Sequence, residues 1–587
     1  MTTKLRIRRS RFFSRHGGAK TRHHPGGPAF LITTFLLAVI LTTGPLILGA
    51  ARLWIELPLL GVVALLLVVQ GLRLTTRPAA GEQRRADAID LSVALFVLYA
   101  IVRWLTSPAE YFSRIEVMDV VACAGVFFTC RYGMANRRHG MALLYLLVIL
   151  GVGETAFGYY LSNYPDWFPF GPAERQQLDN APCWVGTYGG PNQYASLLVM
   201  AIGTALAVGS FSKLAWPVRI IFIYVSLMMI IGVMYSGSRG SWIALLAAIC
   251  ALVILGIRNG TLRWWVPVTG ALALITVYGF LFSLSPVVRD RMADTQNLIF
   301  KSRLRADPHV QLARDAQGIA HDHPVFGAGP GTFVFIHPQY QQRAPSLKAE
   351  LTHNDYLNCL DDYGLAGFGL AMFFVAAVTL KFFSPLELDQ RWQDRVLVST
   401  GFAAWAALLV HSLVDFNLHV PANALLLFSL TGLALGRLKE EKERHWSTLS
   451  LAPLGRWLGW GVVVLSLIYG VQVARTALSD RVYEKALARQ DEIPFSDDIA
   501  AAQKALRYDP GNVQALVFLG DSHRSYAALQ KDSADREREE AMALEAYKRA
   551  FQANALDDAV RARMETARDA VQGHSEAPQT QEPATTR

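Results

Sequence analysis

The sequence is poor in charged residues for its length. Asp, Glu, Lys and Arg make up 18% of its 587 residues, whereas a soluble protein carries about a quarter. The remaining sequence is dominated by apolar runs of roughly 20 residues, long enough to cross a hydrocarbon core of about 30 Å. Lipid offers no partner for a bare backbone, so each crossing run must be helical. The shortage of charge excludes an ordinary soluble enzyme and predicts an all-α, polytopic helical membrane protein.

Metal-binding and nucleic-acid signatures are also missing. The five cysteines form no CxxC pair, and the histidines follow no metal spacing such as HExxH. We therefore expect neither a metal nor a cofactor. The net charge of +9 is explained by the basic loops that membrane proteins keep in the cytoplasm, so no nucleic-acid partner is expected.

Hydropathy predicts thirteen spans, the first at Phe30–Ala50 after a basic, acid-free N-terminus. If the N-terminus is cytoplasmic, every second loop is cytoplasmic too, and these are the basic loops. The odd number of spans then places the C-terminal region outside. Span 115–130 is the weakest because it is short and contains Asp119. The other expected spans lie at about 55–72, 88–105, 115–130, 141–161, 191–210, 218–235, 241–256, 264–285, 365–381, 397–413, 421–436 and 456–474.

Composition divides the chain into successive segments. The core contains the longest polar connection, a loop at 286–364 whose length is typical of a functional loop. The charged C-terminal region resembles tetratricopeptide repeats, with a unit at Ala501–Asp521 and a fainter copy from Glu545. Two repeats are too few for an independent solenoid, so they are expected to pack on the membrane part or on a partner. The expected segments are 1–28 (basic N-terminus), 29–190 (N-terminal spans), 191–436 (core), 456–474 (last span), 480–572 (helical repeats) and 573–587 (disordered tail).

The turn Ser236–Trp242 is the first candidate site. It precedes a span on the outer side, so free backbone N–H groups and the positive end of a helix dipole meet at Ser238 and Arg239. Such a combination predicts an anion site suited to phosphate. The alternative is that Arg239 extends to the membrane interface while the glycines ease helix packing.

The loop 286–364 supplies further basic groups and a glycine run. Its arginines would either bind a polyanion or form a solvated charge cluster. The glycine run lacks the Lys-Ser/Thr pair of a nucleotide-binding loop and indicates a tight turn at the membrane interface. The residues concerned are Arg303, Arg305 and Arg314, and Gly327, Gly329 and Gly331.

Two polar clusters lie next to spans. In the first, a neutral His353 imidazole is suited to taking a proton from a hydroxyl near neutral pH, while Asp355 is an alternative base or orients the histidine. Asn354 lies between them, and a histidine packed at an interface is the rival interpretation. The second cluster contains His411 and Asp415 in a short outer turn, where polar groups are either functional or join helices by hydrogen bonds.

The order of these motifs resembles that of the O-antigen ligase and polymerase superfamily, over about residues 190–435. The shared features are Ser-Arg-Gly at 238–240, the run Pro324–Phe333, the motif His353–Leu357 and the motif Gly364–Gly367. The resemblance implies a multi-pass glycosyltransferase of type C architecture in the bacterial inner membrane. Its members transfer a glycan from undecaprenyl diphosphate to an acceptor hydroxyl at the periplasmic face, without metal or nucleotide sugar.

The resemblance also implies roles for single residues. Arg239 would bind the donor diphosphate with Ser238 beside it, and His353 would be the catalytic base. Many members carry an arginine upstream of the loop proline, at the position where this chain has His309. The second diphosphate ligand is then sought among Arg303, Arg305 and Arg314.

The acceptor is left open by the sequence. A lipid A core, another glycan chain and a protein hydroxyl correspond to ligase, polymerase and protein O-oligosaccharyltransferase. Other possibilities are a transporter of an anion or a lipid-linked glycan, and a scaffold whose repeats recruit a periplasmic protein. Besides the lipid-linked donor and the acceptor, membrane lipids are the expected partners. The residues expected to support the site are His309, Gly327, Gly329, Gly331, Asn354, His411 and Asp415.

Overall fold

The computed structural model describes residues 28–76, 85–134, 136–170, 183–260, 308–341, 349–384, 391–438, 449–450, 455–490 and 494–575, with single positions at 279, 283 and 289. The regular secondary structure of this part of the chain is helical, apart from two short antiparallel strands, Arg85–Ala86 and Leu449–Ser450. The N-terminal helices are α1 (Pro28–Leu46), α2 (Leu53–Thr76), α3 (Ala88–Leu105), α4 (Glu110–Phe128) and α5 (Arg137–Asn163).

The central and C-terminal helices follow in chain order. Those of the core are α6 (Pro191–Phe211), α7 (Trp216–Ser236), α8 (Arg239–Arg258), α9 (Pro308–Asp322), α10 (Phe333–Tyr340), α11 (Asp355–Phe383), α12 (Trp392–His411) and α13 (Pro421–Leu435). Those of the C-terminal part are α14 (Gly455–Leu487), α15 (Phe495–Tyr508), α16 (Val513–Leu529), α17 (Ser533–Ala553) and α18 (Asp558–Ser575).

Within the described residues, 9 helices are long and apolar enough to cross a membrane, namely α1, α2, α3, α5, α6, α7, α8, α11 and α14. This finding agrees with a polytopic helical membrane protein. The expected span 115–130 falls mostly in helix α4, which is outside this group and carries charged residues such as Arg114 and Asp119. The expected span 264–285 lies almost wholly outside the described residues. The count of thirteen and the sidedness therefore stay predictions.

Helix α6 lies at the centre of the membrane part, and 89% of its most apolar 18-residue stretch is buried. It packs against α5, α7, α8 and α12. Small residues on it allow neighbouring backbones to come close: a Cβ added at Gly203 would lie 3.2 Å from that of Ala403 on α12. This packing brings the end of α12, with His411, against the side chain of Ser196.

The glycine run lies along a kink in helix α11. Gly364 interrupts the helix with φ 64° and ψ −173°, which leaves nearby backbone groups without helical partners. The N–H of Ala328 donates to the Asp361 carbonyl at 2.7 Å, and the N–H of Leu365 donates to that of Pro324 at 2.9 Å. A Cβ at Gly327 would lie 2.5 Å from the Gly364 nitrogen. The backbone of the glycine run therefore lies against the kink and supplies hydrogen-bond partners to its backbone groups.

The C-terminal helices α15 to α18 form two helical hairpins that dock beside α4. The turn between α15 and α16 carries Asp509, whose carboxylate pairs with Arg114 at 2.9 Å and accepts from Thr476 at 3.1 Å. The backbone N–H of Ala555 donates to the Pro108 carbonyl at 3.0 Å. Tyr111 packs fully buried among apolar residues of these hairpins. The C-terminal hairpins are thus fixed to the beginning of α4.

Candidate active site

The Arg239 turn is a helix N-terminus, as its sequence predicts. Helix α7 ends at Ser236, and Gly237 takes the left-handed φ of 68° that reverses the chain. Ser238 is the N-cap of α8, its hydroxyl accepting from the N–H of Ser241. Arg239 is half-buried in the first turn. Backbone N–H groups and a guanidinium therefore occur together at the positive end of the helix.

His411 lies directly beneath this turn. A Cβ added at Gly240 would lie 2.8 Å from the His411 ring and 2.7 Å from Val414, so only glycine permits the approach. The ring is buried, with Nδ1 at 2.6 Å from the Ser196 hydroxyl and Nε2 at 3.4 Å from that of Ser241. These contacts join the N-terminus of α8 to α6 and to the end of α12.

The buried carboxylate of Asp415 lies between two histidines. One oxygen is 3.7 Å from Nε2 of His411, and the other is 3.7 Å from Nδ1 of His353. Among the described residues, neither His353 Nδ1 nor that second oxygen has a hydrogen-bond partner. Both separations exceed a hydrogen bond, although catalytic hydrogen bonds are often long before substrate binds. Asp415 therefore links the Arg239 turn to His353 through His411.

His353 is held in an unusual conformation. Its φ of 53° is positive, which is uncommon for a residue with a side chain and is concentrated at functional sites. The ring packs against Phe416 at 4.7 Å and against His309 at 5.0 Å between centroids. The next residue, Asn354, caps helix α11 and donates to the Leu413 carbonyl at 2.8 Å. With 34% of its side chain exposed, His353 remains accessible to a substrate.

Asp355 faces the turn after α12. Its carboxylate accepts from the Ser412 hydroxyl at 2.6 Å and from the Leu418 N–H at 3.2 Å, and it contacts Nδ1 of His419 at 2.9 Å. The backbone N–H of Asp355 also donates to the Ser412 carbonyl at 3.0 Å. The geometry assigns Asp355 to holding this turn against α11, and it places Asp415 as the carboxylate nearest to His353.

The sequence marked His419 only as the end of the polar turn that begins at His411, and it did not single out Glu116. His419 lies in the turn between α12 and α13, 3.6 Å from the Glu116 carboxylate of α4. Burial lowers the pKa of His419, but Glu116 and the hydrogen bond to Asp355 outweigh that effect and raise it to about 9. The spacing of His419 four residues after Asp415 was an available signal. No local pattern marks Glu116, which is 303 residues earlier in the chain.

The remaining candidates fall into three groups. His309 is exposed at the start of α9 and contacts His353, whereas Arg314, also exposed, lies further along the same helix. Arg303 and Arg305 lie outside the described residues. Gly327, Gly329 and Gly331 all have positive φ and belong to the loop that packs on α11.

The arrangement defines a class of protein. It is a multi-pass helical membrane protein in which an arginine-bearing helix N-terminus lies near a strained histidine and a buried carboxylate. Such groups can stabilise an anion and accept a proton. Among the described residues, no group of three or more His, Cys, Asp and Glu is arranged to hold a metal ion.

Comparison with known families agrees with this class. Residues 224–374 match the family model described as O-Antigen ligase, a range that contains Arg239, His309 and His353. The match supports the resemblance to the O-antigen ligase superfamily and a role in membrane glycan transfer during polysaccharide biosynthesis. Residues 489–585 match the model of the plant specific mitochondrial import receptor subunit TOM20, a helical receptor domain, so the tetratricopeptide assignment stays a prediction. A search among curated proteins finds no match.

Proposed function

We propose that the protein transfers or polymerises a glycan from an undecaprenyl-diphosphate-linked donor onto an acceptor hydroxyl at the periplasmic face of the bacterial inner membrane. The observation that carries the proposal is the position of His353, strained and partly exposed, with Nδ1 3.7 Å from the Asp415 carboxylate. A base held by a buried acid suits the deprotonation of a hydroxyl. The family match over 224–374 supports glycan transfer as the reaction class.

In the proposed reaction, the diphosphate is the leaving group. The acceptor oxygen forms a bond to the anomeric carbon of the donor sugar, and the bond from that carbon to the phosphate oxygen breaks. The electron pair of the broken bond stays on the lipid diphosphate. Arg239 and the N–H groups that begin α8 stabilise this growing negative charge, which is a contribution worth about 10²–10³ in rate for a single preorganised donor.

The proton of the acceptor hydroxyl moves to His353. Asp415 stabilises the imidazolium that forms and keeps the ring oriented, which is the role of the third group in a nucleophile–base–acid arrangement. His411 fixes Asp415 relative to the Arg239 turn, since it contacts both the carboxylate and the first turn of α8. Diphosphate leaves as an anion, so the proposed step needs no general acid.

Transfer by full-length protein in proteoliposomes tests this proposal. We expect Arg239→Ala and His353→Ala to abolish transfer from a lipid-linked glycan while the protein stays folded in the membrane. His321→Ala is a matched control, because His321 belongs to the same loop and its side chain is 88% exposed. Normal transfer by both site variants would contradict the proposed function. Deletion of the gene would identify the acceptor. Glycan would be lost from lipid A, the glycan chains would be shortened, or glycan would be lost from protein.

A further inference from the structure

A groove of about 750 Å³ lies between the membrane part and the C-terminal hairpins. One wall comes from Phe112 at the start of α4 and Phe335 of α10, whose rings are 4.7 Å apart. The opposite wall comes from α16, with Gln514, Phe518 and Ser525. Its volume lies in the range of sites that hold small ligands, about 300–1,000 Å³.

Two residues that line the groove carry hydrogen-bond acceptors without protein partners in the described part of the chain. One carboxylate oxygen of Asp498 and the amide oxygen of Gln514 are buried without a hydrogen-bond partner among the described residues. Asp498 is only 2% exposed. A buried acceptor without a donor is costly, so a small side-chain rotation that turned either oxygen into the groove would favour a ligand rich in hydroxyl or N–H donors.

The charge of the groove disfavours an anionic ligand. Four of its lining residues are acids, and the lining contains one base, Arg563. Arg563 is already paired with the Asp521 carboxylate at 3.2 Å. The other acids, Glu350, Asp498 and Asp557, keep the lining negative. A phosphorylated or acidic sugar would be repelled, whereas an uncharged sugar would not.

The chemistry of the lining favours a glycan over a peptide. Aromatic rings can pack against the apolar C–H faces of sugars, while carboxylate, amide and hydroxyl groups accept from or donate to the sugar hydroxyls. An extended peptide usually pairs with a free strand edge, and a helical one needs a continuous apolar groove. The groove is lined by helices and by three residues outside them, Glu350, Gln490 and Asp557. Polar groups interrupt its apolar surface at Gln514, Asp521 and Ser525.

The groove lies near the proposed catalytic base. Glu350 lines it, and His353 follows three residues later, a separation that extended chain spans in at most about 11 Å. Helix α10, which forms part of the wall, packs on α9 through Leu312 and Ile336. Helix α9 in turn carries His309 against His353. A chain of a few sugars bound in the groove can therefore present a terminal hydroxyl to His353.

We propose that this groove binds the acceptor of the transfer reaction, and that the acceptor is an uncharged stretch of glycan. The inference rests on the proposed function, because it assigns a substrate to the same site. It gives the C-terminal hairpins a role in holding the acceptor, and it makes Gln514 and Ser525 residues that determine acceptor affinity.

Binding to the full-length protein in detergent, without donor, tests this inference. The probe is glycan released by mild acid from envelopes of cells that lack the gene, separated into neutral and acidic fractions. We expect the neutral fraction to bind, and Gln514→Ala to weaken binding by about threefold to tenfold, the equivalent of one hydrogen bond. Ser525→Trp should block the groove. Arg524→Trp is the matched control, because Arg524 is exposed on the same helix and lies outside the lining.

The outcomes separate this inference from the proposed function. Gln514→Ala removes no intramolecular hydrogen bond among the described residues, so unchanged thermal unfolding with weaker binding supports a ligand contact. His353→Ala should abolish transfer and still bind glycan. Equal binding by wild type and both groove variants, binding confined to the acidic fraction, or capture of a lysine- and aromatic-rich peptide in place of glycan would overturn the inference. In those cases loss of transfer by His353→Ala would still uphold the proposed reaction.

Discussion

The ring of His309 lies edge-on to the ring of His353, with 5.0 Å between centroids and 90° between planes. Members of the resembling superfamily often carry an arginine at the His309 position, so this contact places the altered position beside the proposed base. We expect His309→Ala to raise the KM for the lipid-linked donor by about tenfold, the effect of one charge-assisted hydrogen bond. His309→Arg should restore it. A KM unchanged in His309→Ala would remove His309 from donor binding.

Asp415→Asn tests the link between the two histidines. The change preserves size and removes the charge that faces His353 and His411, each 3.7 Å away. We expect kcat to fall by about 10² or more, since positioned acid–base groups contribute 10²–10⁴. Measured rates of glycan transfer with Asp322→Asn as control, an exposed carboxylate on α9, give the comparison. Equal kcat in both variants would leave Asp415 with a purely structural role.

Gly364→Ala should destabilise the protein through the kink of α11. An added Cβ would lie 2.4 Å from the Gly327 nitrogen, and the φ of 64° with ψ of −173° is a conformation essentially restricted to glycine, so both a clash and backbone strain of about 1–3 kcal/mol oppose it. Gly369→Ala is the control, because a Cβ there meets nothing within 4 Å on the same helix. Thermal unfolding in detergent should show a lower midpoint for Gly364→Ala alone. Similar midpoints would contradict the proposed packing.

The buried ion network of His419 predicts weaker stability at alkaline pH. Its pKa is raised to about 9 in the folded protein. Burial lowers this pKa, but the nearby carboxylates of Glu116 and Asp355 raise it by more. Stability from this group is therefore fully present below its unfolded pKa of about 6.5 and is lost as pH rises through about 9. The loss is at most about 3 kcal/mol. Unfolding midpoints between pH 6 and 10 should fall in wild type and fall less in His419→Gln. Parallel curves would argue against the ion pair.

The Arg114–Asp509 pair should control the docking of the C-terminal hairpins. Both side chains are buried, at 7% and 2% exposure, so Arg114→Ala leaves an uncompensated carboxylate and is expected to cost about 3–5 kcal/mol. Limited proteolysis should release the hairpins from this variant first. Arg561→Ala removes an exposed pair with Asp558 and should cost under about 1 kcal/mol. Equal protease resistance of the two variants would contradict the docking.

Several features follow from the sequence because they depend on local pattern. Apolar run lengths predicted the membrane class, and nine of the described helices have the required length and apolarity. The Gly-Ser-Arg turn predicted the beginning of a helix, and the structure has helix α8 beginning at Arg239 with Ser238 as its N-cap. The absence of Lys-Ser/Thr after the glycine run indicated an architectural loop, and Gly327 contacts the backbone of α11. Periodicity and capping act over a few residues, so the chain alone carries this information.

Tertiary structure decided which polar residues meet. His353 and Asp415 are 62 positions apart in the sequence, and no spacing rule pairs them in preference to His353 and the nearby Asp355. In the structure Asp355 contacts Ser412 and His419, and Asp415 is the carboxylate that faces His353. The groove likewise depends on the docking of distant hairpins against α4 and α10. The positions where helices end and cross one another determine these contacts. Those positions depend on the packing of many side chains at once.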